Sequence, residues 1–359
     1  MANDRKRTIM IMAGGTGGHI YPGLAVADRL RAEGWQVLWM GVPGSMESEL
    51  VPKHGYQMVW VDFAGVRGKG LLPKLLLPLT LLLAMWQSFV AMLEYRPDVV
   101  LGMGGYVTVP GGLTAALLRL PLVIHEQNSV AGLSNRLLGR FARRVLSGFP
   151  QVLPNAEWCG NPVRDNITAL RDPEQRYAAR SGKLNVLVVG GSLGAKGINE
   201  CVPQALARLP EDARPDVLHQ SGRRHFEAVH RAYQYAGVQP AAIQPFLDNI
   251  AFFYDQADLV ICRAGALTVA ELAAAGVASI LIPFPFAVDD HQTYNARYLS
   301  ERGAALLLPQ KDLTPQRLAD LIGGMTRERA LEMAQAARAA AMPDATKRVA
   351  EVCKEAAGL

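Results

Sequence analysis

Cysteine is scarce in this chain, and its positions argue against two classes of protein. The 359 residues include only four cysteines, which are Cys159, Cys201, Cys262 and Cys353. They form no CxxC pair and no cluster with histidine, so the sequence predicts neither a disulfide framework nor a zinc site. We therefore expect a protein of the reducing cytoplasm.

From the sequence we also expect neither a leader peptide nor a nucleic-acid-binding motif. The polar segment 1–7 leads directly into an apolar run, Thr8–Met12, which leaves no room for a signal peptide. With 50% hydrophobic and 19% charged residues, the chain has the composition of an ordinary globular protein, and its length suggests two domains.

Positive charge is concentrated in the first half of the chain. Residues 1–164 contain 16 Lys and Arg against 10 Asp and Glu, whereas residues 165–359 contain 21 against 22. A basic half-chain suits nucleic acid, an anionic membrane or a phosphorylated substrate. Because no nucleic-acid motif accompanies the charge, we favour the last two.

Short apolar runs alternate with helical patterns, which predicts an α/β fold built on parallel sheets. The runs in the first half are Thr8–Met12, Val37–Met40, Met58–Val61, Val99–Leu101, Leu122–His125 and Val145–Ser147. Those in the second half are Asn185–Val189, Val217–His219, Ala242–Gln244, Leu259–Cys262, Ser279–Ile282 and Ala305–Leu308. Gly160 and Pro162 interrupt the pattern between the halves. We predict two doubly wound domains, residues 1–164 and 165–343. The C-terminal helix 344–359 could complete either domain, and we assign it to the first.

Each half begins with a glycine-rich turn between a predicted strand and a predicted helix, AGGTGGH at 13–19 and GGSLGA at 190–195. Bare amides at a helix N-terminus make a ready phosphate site. The first turn does not fit a dinucleotide fingerprint, because Ile20 replaces the third glycine and the second strand ends in Met40-Gly41 without an acidic residue. Two such turns favour a glycosyltransferase or a phosphorylase.

His19 ends the first turn at the mouth of the predicted helix, where the helix dipole disfavours an imidazolium. A neutral imidazole at this place could accept a proton, although it could also be a histidine that only caps the turn. Polar residues also follow two later strands, at Gly102–Tyr106 and His125–Asn128. Ligands bind at that edge of a parallel sheet, but Asn128 could instead cap a helix and Glu126 could be solvated.

In the second half, the strongest signal follows the predicted strand Leu259–Cys262. Small residues at the start of the next helix would let a diphosphate approach free amides. Glu271 lies one to two turns further, where a carboxylate can accept hydrogen bonds from ribose hydroxyls; the alternative is an exposed helix residue.

The chain has no D-x-D motif, with which many sugar-nucleotide enzymes hold a divalent metal. We interpret Asp289-Asp290-His291 as a solvated loop and not as a metal site. We therefore expect no metal and no cofactor, and we expect amides, helix dipoles and Arg164 to meet the charge of a diphosphate.

An apolar segment interrupts the first half. From Leu75 to Leu93, 19 residues carry no charge, which is long enough for a transmembrane helix. Pro73 and Pro78 interrupt its start, and a span would put the flanking strands on opposite sides of a bilayer. We favour an apolar patch on a membrane surface, flanked by Lys69, Lys74 and Arg140, over a core helix or a span.

Seven motifs carry a resemblance to a known family. They are AGGTGGH, GMGGY, HEQN, GNPVR, GGSLGA, CRAGALTVAEL and DDHQ, in this order over nearly the whole chain. This set resembles the MurG family of bacterial glycosyltransferases. The resemblance implies a GT-B fold with a cleft between two Rossmann-like domains. It also implies inverting transfer of N-acetylglucosamine from UDP-N-acetylglucosamine to the muramyl 4-hydroxyl of undecaprenyl-diphosphate-linked muramyl-pentapeptide, in peptidoglycan synthesis. A peripheral place on the cytoplasmic face of the inner membrane and other cell-wall synthesis proteins as partners belong to the same expectation.

The resemblance also implies roles for individual residues. His19 would be the base, with Tyr106, His125, Glu126 and Asn135 near the acceptor. Phe246 and Leu247 would lie beside the uracil and Glu271 on the ribose. His291 stands where some members have a second glutamine. The remaining positions implied to bind substrate are Thr16, Gly17, Gly18, Asn128, Arg164, Ser192, Arg263, Ala266, Leu267, Thr268, Val269, Ala270, His291 and Gln292.

Two other hypotheses stay open on the residues alone. A sugar-nucleotide epimerase or phosphorylase could share the fold, but it has no evident need for an apolar patch flanked by basic residues. A non-catalytic nucleotide-sugar binder would need Glu271 and would dispense with His19 and Tyr106.

Overall fold

The computed structural model describes residues 5–63, 75–191 and 194–359. The chain divides into two compact units, Met1–Arg164 with Pro343–Leu359, and Asp165–Met342. Each unit is built on one parallel sheet, of seven strands in the first and six in the second.

The sheet of the first unit has the strand order β3-β2-β1-β4-β5-β6-β7. Alternate residues of the first strand enter two different core clusters, Ile9 and Ile11 on one face and Met10 and Met12 on the other. Burial on both faces explains why these strands are continuous apolar runs in the sequence. The strands are β1 (Thr8–Ala13), β2 (Gln36–Gly41), β3 (Gln57–Trp60), β4 (Val99–Gly104), β5 (Leu122–Glu126), β6 (Arg144–Ser147) and β7 (Glu157–Trp158).

The described helices of this unit before residue 165 are α1 (Gly17–Ala32), α2 (Met46–Lys53), α3 (Leu77–Tyr95), α4 (Thr108–Leu117) and α5 (Leu133–Leu138). The C-terminal helix, Ala345–Ala356, also belongs here, since it packs on α1, β4 and β5. Val349, Val352 and Cys353 bury in the same cluster as Ile9 and Ile11. Thr346 Oγ1 donates a hydrogen bond to the carbonyl oxygen of Val163 at 3.0 Å. The C-terminal helix therefore packs in the first unit and not in the second.

The second unit has the strand order β10-β9-β8-β11-β12-β13. Its strands are β8 (Asn185–Val189), β9 (Asp216–Gln220), β10 (Ala242–Gln244), β11 (Leu259–Cys262), β12 (Ala278–Leu281) and β13 (Ala305–Leu307). Its described helices are α6 (Asp165–Thr168), α7 (Pro173–Ala178), α8 (Lys196–Ala207), α9 (Phe226–Ala236), α10 (Ile250–Gln256), α11 (Ala266–Ala275), α12 (His291–Ser300), α13 (Pro315–Gly323) and α14 (Arg327–Ala339). The C-terminal helix is therefore α15.

All twelve strands predicted from the apolar runs are present, and two doubly wound domains are confirmed. Strand β7 is an addition to the predicted strands, and its two residues pair only with β6 at the sheet edge. A strand that short has no alternation of its own to detect.

Helix α3 carries the apolar segment and is long and apolar enough to cross a membrane. The inner side of α3 is buried in the same cluster as Met10 and Met12, through Ala84, Ala91 and Met92. The helix also packs on α4. Only 22% of its apolar window is buried, so it is not an enclosed core helix. Because β3 and β4 on either side of it lie in one sheet, a span is incompatible with this fold.

Candidate functional sites at the carboxyl ends of the two sheets

The first candidate site lies where β1 and β4 are neighbours. The strand order reverses between them, and ligands of open α/β sheets bind outside the strand ends at such a point. The turn after β1 and the loop after β4 meet here, since the Gly14 N–H donates to the Gly104 carbonyl at 3.3 Å. Gly104 has a φ of +102°, and a Cβ on it would lie 2.8 Å from His19 Nδ1. Glycine at 104 is therefore what makes room for the histidine ring.

A chain of hydrogen bonds begins at His19, which lies half-buried in the first turn of α1. Its Nδ1 is 2.8 Å from Gln127 Oε1. Gln127 Nε2 is 3.1 Å from His125 Nδ1 and 3.0 Å from the His125 carbonyl oxygen. His125 Nε2 is 2.8 Å from the carbonyl oxygen of Gly160. The chain joins segments far apart in the sequence, and Gln127 is a member that the predicted site residues did not include.

His125 does not occupy the place expected of it. Its side chain is fully buried, and this burial lowers the pKa of the imidazole to about 4. An enclosed, uncharged ring cannot touch an acceptor sugar, so the expectation of a contact with the acceptor is corrected. The geometry gives His125 a supporting role behind Gln127.

Glu126 and Asn135, also expected near the acceptor, are buried as well. Glu126 Oε1 accepts a hydrogen bond from the Asn128 backbone N–H at 2.9 Å. Its Oε2 accepts from the Gly132 N–H at 3.0 Å and from Asn135 Nδ2 at 2.9 Å. Glu126 is therefore not a solvated residue. Its carboxylate organises the loop before α5, which holds the backbone that carries Gln127 and Asn128.

Other predicted residues of the first site do reach solvent. Tyr106 is 48% exposed beyond the glycines that follow β4. Thr16 is exposed at the N-cap of α1, while Gly17, Gly18 and Asn128 are partly exposed. The Arg164 guanidinium lies over the Tyr21 ring, 5.4 Å from its centroid.

Glu47 of α2 is a residue of this site that the sequence analysis missed. Its side chain is buried, and its Oε2 accepts a hydrogen bond from the Gly15 N–H at 3.0 Å. A protein carboxylate thus already occupies an amide of the first turn, so the predicted phosphate site is corrected at Gly15. No pattern marks Glu47 in the sequence, because an acidic residue in the first turn of a helix is common.

The second candidate site lies where β8 and β11 are neighbours, the point at which the second strand order reverses. Helix α11 begins here at Ala266, with Gly265 as its N-cap and no acidic residue in its first turn. The amides and the dipole at this helix start favour an anion. The glycine-rich turn after β8 lies at the same edge, and its Ser192 falls outside the described residues.

Glu271 projects from the second turn of α11. It is 6% exposed, and the Tyr254 hydroxyl lies 3.5 Å from its Oε2. The alternative of an exposed helix residue is therefore wrong. Leu267, Thr268 and Ala270 are partly exposed along the same helix, whereas Val269 and Ala266 are buried.

Arg263 and Gln292 hold the loop that follows β12. Arg263 Nη1 donates to the carbonyl oxygens of Ile282 and Pro283, each at 3.1 Å. Gln292 Oε1 accepts from the Phe284 N–H at 2.9 Å. His291 is the first residue of α12 and is half-buried.

Phe246 and Leu247 follow β10. The Arg223 guanidinium lies 5.7 Å from the Phe246 ring centroid, and the Leu247 side chain is buried. Among residues 5–63, 75–191 and 194–359, no group of three or more His, Cys, Asp and Glu is placed to hold a metal ion.

Two doubly wound parallel domains with a glycine-rich turn at each reversal point are the architecture of the GT-B fold. Residues 9–147 match the glycosyltransferase family 28 N-terminal domain, and residues 185–349 match the family 28 C-terminal domain. The chain therefore belongs to glycosyltransferase family 28.

Individual relatives agree with this assignment. A protein of Ralstonia nicotianae is 58% identical over 99% of this chain and 98% of its own length. Its name is UDP-N-acetylglucosamine--N-acetylmuramyl-(pentapeptide) pyrophosphoryl-undecaprenol N-acetylglucosamine transferase. The crystal structure of Acinetobacter baumannii MurG matches with a TM-score of 0.84 and 40% identity over 97% of this chain and 99% of that one. The crystal structure of the kitacinnamycin glycosyltransferase matches with a TM-score of 0.70 and 18% identity over 98% of this chain and 99% of that one. It shares the fold.

Proposed function

We propose that the chain transfers N-acetylglucosamine from UDP-N-acetylglucosamine to the muramyl 4-hydroxyl of undecaprenyl-diphosphate-linked muramyl-pentapeptide. The proposal rests above all on His19, whose ring is oriented by a hydrogen bond at the strand-order reversal of the first unit. The names of relatives that span nearly the whole chain supply the substrates.

The proposed chemistry is a single displacement. His19 Nε2 takes the proton of the muramyl 4-hydroxyl as its oxygen bonds to C1 of N-acetylglucosamine. The bond from C1 to the β-phosphate oxygen breaks, and UDP leaves with the electron pair. Attack opposite the leaving group inverts the configuration at C1. A positioned base of this kind contributes roughly 100- to 10,000-fold to a rate.

The second unit is the proposed donor domain. Amides at the start of α11 suit the diphosphate, and the buried Glu271 carboxylate suits two ribose hydroxyls. Leu267, Thr268 and Ala270 are partly exposed in the first two turns of the same helix. Arg263 and Gln292 then act chiefly by holding the loop after β12 against the site.

The proposed location is the cytoplasmic face of the inner membrane, with α3 as the docking element. Leu79, Leu82 and Trp86 on its outer side are 65%, 64% and 63% exposed. An exposed apolar face of this size is typical of an interaction surface, and an interfacial helix inserts such a face without spanning. Arg140 is exposed and positively charged, which suits anionic headgroups; Lys69 and Lys74 lie outside the described residues.

Release of UDP tests the proposal. Purified protein with UDP-N-acetylglucosamine should release UDP only when the lipid-linked acceptor is added, together with one disaccharide product per UDP. An epimerase would convert the donor sugar without the acceptor, and a binder would release nothing. Either of those results would overturn the proposal.

A further inference from the structure

We infer that Gln127 is a positioning residue, which sets the tautomer of His19 so that Nε2 is the unprotonated ring nitrogen. The inference rests on the proposed function for its consequence in catalysis. The geometry that carries it is the hydrogen-bonded chain from the Gly160 carbonyl through His125 and Gln127 to His19.

The first link decides the state of His125. Its buried ring is uncharged above about pH 4, so it carries a single proton. The Gly160 carbonyl oxygen, 2.8 Å from Nε2, can only accept a hydrogen bond. The proton therefore sits on Nε2, and Nδ1 presents a lone pair to Gln127.

The second link decides which way the Gln127 amide points. An amide has a donor end, Nε2, and an acceptor end, Oε1. The neighbours of Gln127 determine which end faces which partner. Its Nε2 end faces two acceptors, the His125 carbonyl oxygen at 3.0 Å and His125 Nδ1 at 3.1 Å. The opposite orientation would set Oε1 against both, leaving a buried residue with acceptors facing acceptors.

The third link transfers this orientation to His19. Gln127 Oε1 accepts at 2.8 Å from His19 Nδ1, which must carry the proton. In a neutral imidazole the other nitrogen is then an acceptor, so Nε2 is free to take a proton from an acceptor hydroxyl. Gly104 lies against the same edge of the ring, where a Cβ would be 2.8 Å from Nδ1.

A hydrogen bond also holds the backbone of Gln127, whose main-chain carbonyl oxygen accepts from Asn161 Nδ2 at 3.0 Å. Asn161 and Gly160 are adjacent in the chain, so one segment holds both His125 and the backbone of Gln127. The first two residues of the GNPVR motif thus support the segment that carries Gln127.

The ring nitrogens can be observed directly by long-range ¹H–¹⁵N correlation spectra of the full-length protein with labelled histidine. His19 is assigned by its loss in His19→Ala. We expect its Nε2 in the unprotonated range and its Nδ1 in the protonated range. His125 and His219 serve as internal references of the opposite tautomer, since His219 Nε2 lies 3.1 Å from Asn199 Oδ1 and the Asn199 amide is oriented by the Ser221 carbonyl. A wild-type His19 with its proton on Nε2 would overturn the inference without any variant.

Gln127→Met supplies the second readout, because it keeps the side-chain length and removes both hydrogen bonds. We expect the His19 tautomer to become mixed and kcat to fall roughly 10- to 100-fold, by analogy with the loss of an orienting partner of a metal-bound histidine, with KM for the donor unchanged. Gln127→Glu retains an acceptor for His19 Nδ1 and should restore that tautomer, but its second oxygen faces the two acceptors of His125, so kcat should stay below the wild-type value. A Gln127→Met enzyme with the wild-type tautomer and kcat would contradict the inference. Failure of the proposed function would instead appear as wild-type protein that releases no UDP when the lipid-linked acceptor is added, whatever the tautomer.

Discussion

At the scale of residues, the first unit is organised to hold one imidazole. We expect His19→Ala to lower kcat by roughly a hundredfold or more, because the proposed base is lost, and to leave UDP affinity nearly intact. His54→Ala, at an exposed histidine of the same unit, is the matched control and should behave as wild type. Steady-state transfer assays and calorimetry with UDP measure the two effects. Wild-type turnover in His19→Ala would show that His19 only caps the turn and is not the base.

Gly104→Ala tests the space that the histidine ring needs. Both Gly104 and Gly34 have a positive φ, of +102° and +88°, but only at Gly104 would a Cβ meet His19. An alanine at either position should cost about 1 kcal/mol or more in the free energy of unfolding, because of its backbone conformation. Only Gly104→Ala should also lower kcat, since its methyl group displaces the ring. Equal kcat in the two variants would contradict the packing argument.

Glu271→Ala separates donor binding from the chemical step. Loss of hydrogen bonds to a charged group should weaken UDP binding by about 1.5–3 kcal/mol. That free energy corresponds to a Kd raised roughly 10- to 150-fold. The chemical step at saturating donor should change less. Calorimetry on Glu271→Ala and on the exposed Glu301→Ala compares the two carboxylates. Wild-type affinity in Glu271→Ala would show that the ribose assignment is wrong.

At the scale of elements, α3 is the proposed docking element for a membrane surface. We expect co-sedimentation with anionic vesicles and release by high salt or alkaline carbonate. Leu79→Ser with Trp86→Ser should abolish vesicle binding, because the exposed apolar face is lost. Tyr235→Ser is the control, since that side chain is 90% exposed in the second unit. Transfer to a short-chain, water-soluble acceptor should survive these changes. Retention through a carbonate wash would contradict a peripheral attachment.

At the scale of the whole molecule, the chain returns to its first unit through α15. Val349 is fully buried among residues of the first core, so Val349→Ala should lower the free energy of unfolding by about 2 kcal/mol. Lys347→Ala on the exposed side of the same helix is the control. UDP affinity should stay unchanged, because the proposed donor site belongs to the second unit. Denaturant titration with parallel calorimetry measures both quantities. A loss of UDP affinity in Val349→Ala would contradict the assignment of the donor site to the second unit.

The strands show what local pattern determines. Each predicted apolar run became a strand of one of the two sheets, because parallel strands buried on both faces leave a continuous signal in the chain. The edge strand β7 has only two residues and leaves no such signal in the sequence. The ends of α15 were also predicted closely, but its partner was not determined by its amphipathic pattern, since either domain offers an apolar surface.

The candidate sites divide in the same way. Sequence alone determined that glycine-rich turns end β1 and β8, and that His19 and Glu271 follow strands, because turns and helix starts depend on neighbouring residues. Tertiary structure alone decided that His125 and Glu126 turn inward, that Glu47 takes the Gly15 amide, and that Gln127 reaches His19. Those partners lie up to 108 residues apart in the chain. Hydrogen bonds over such separations form only after the sheet has brought its strand ends together, so no local pattern encodes them.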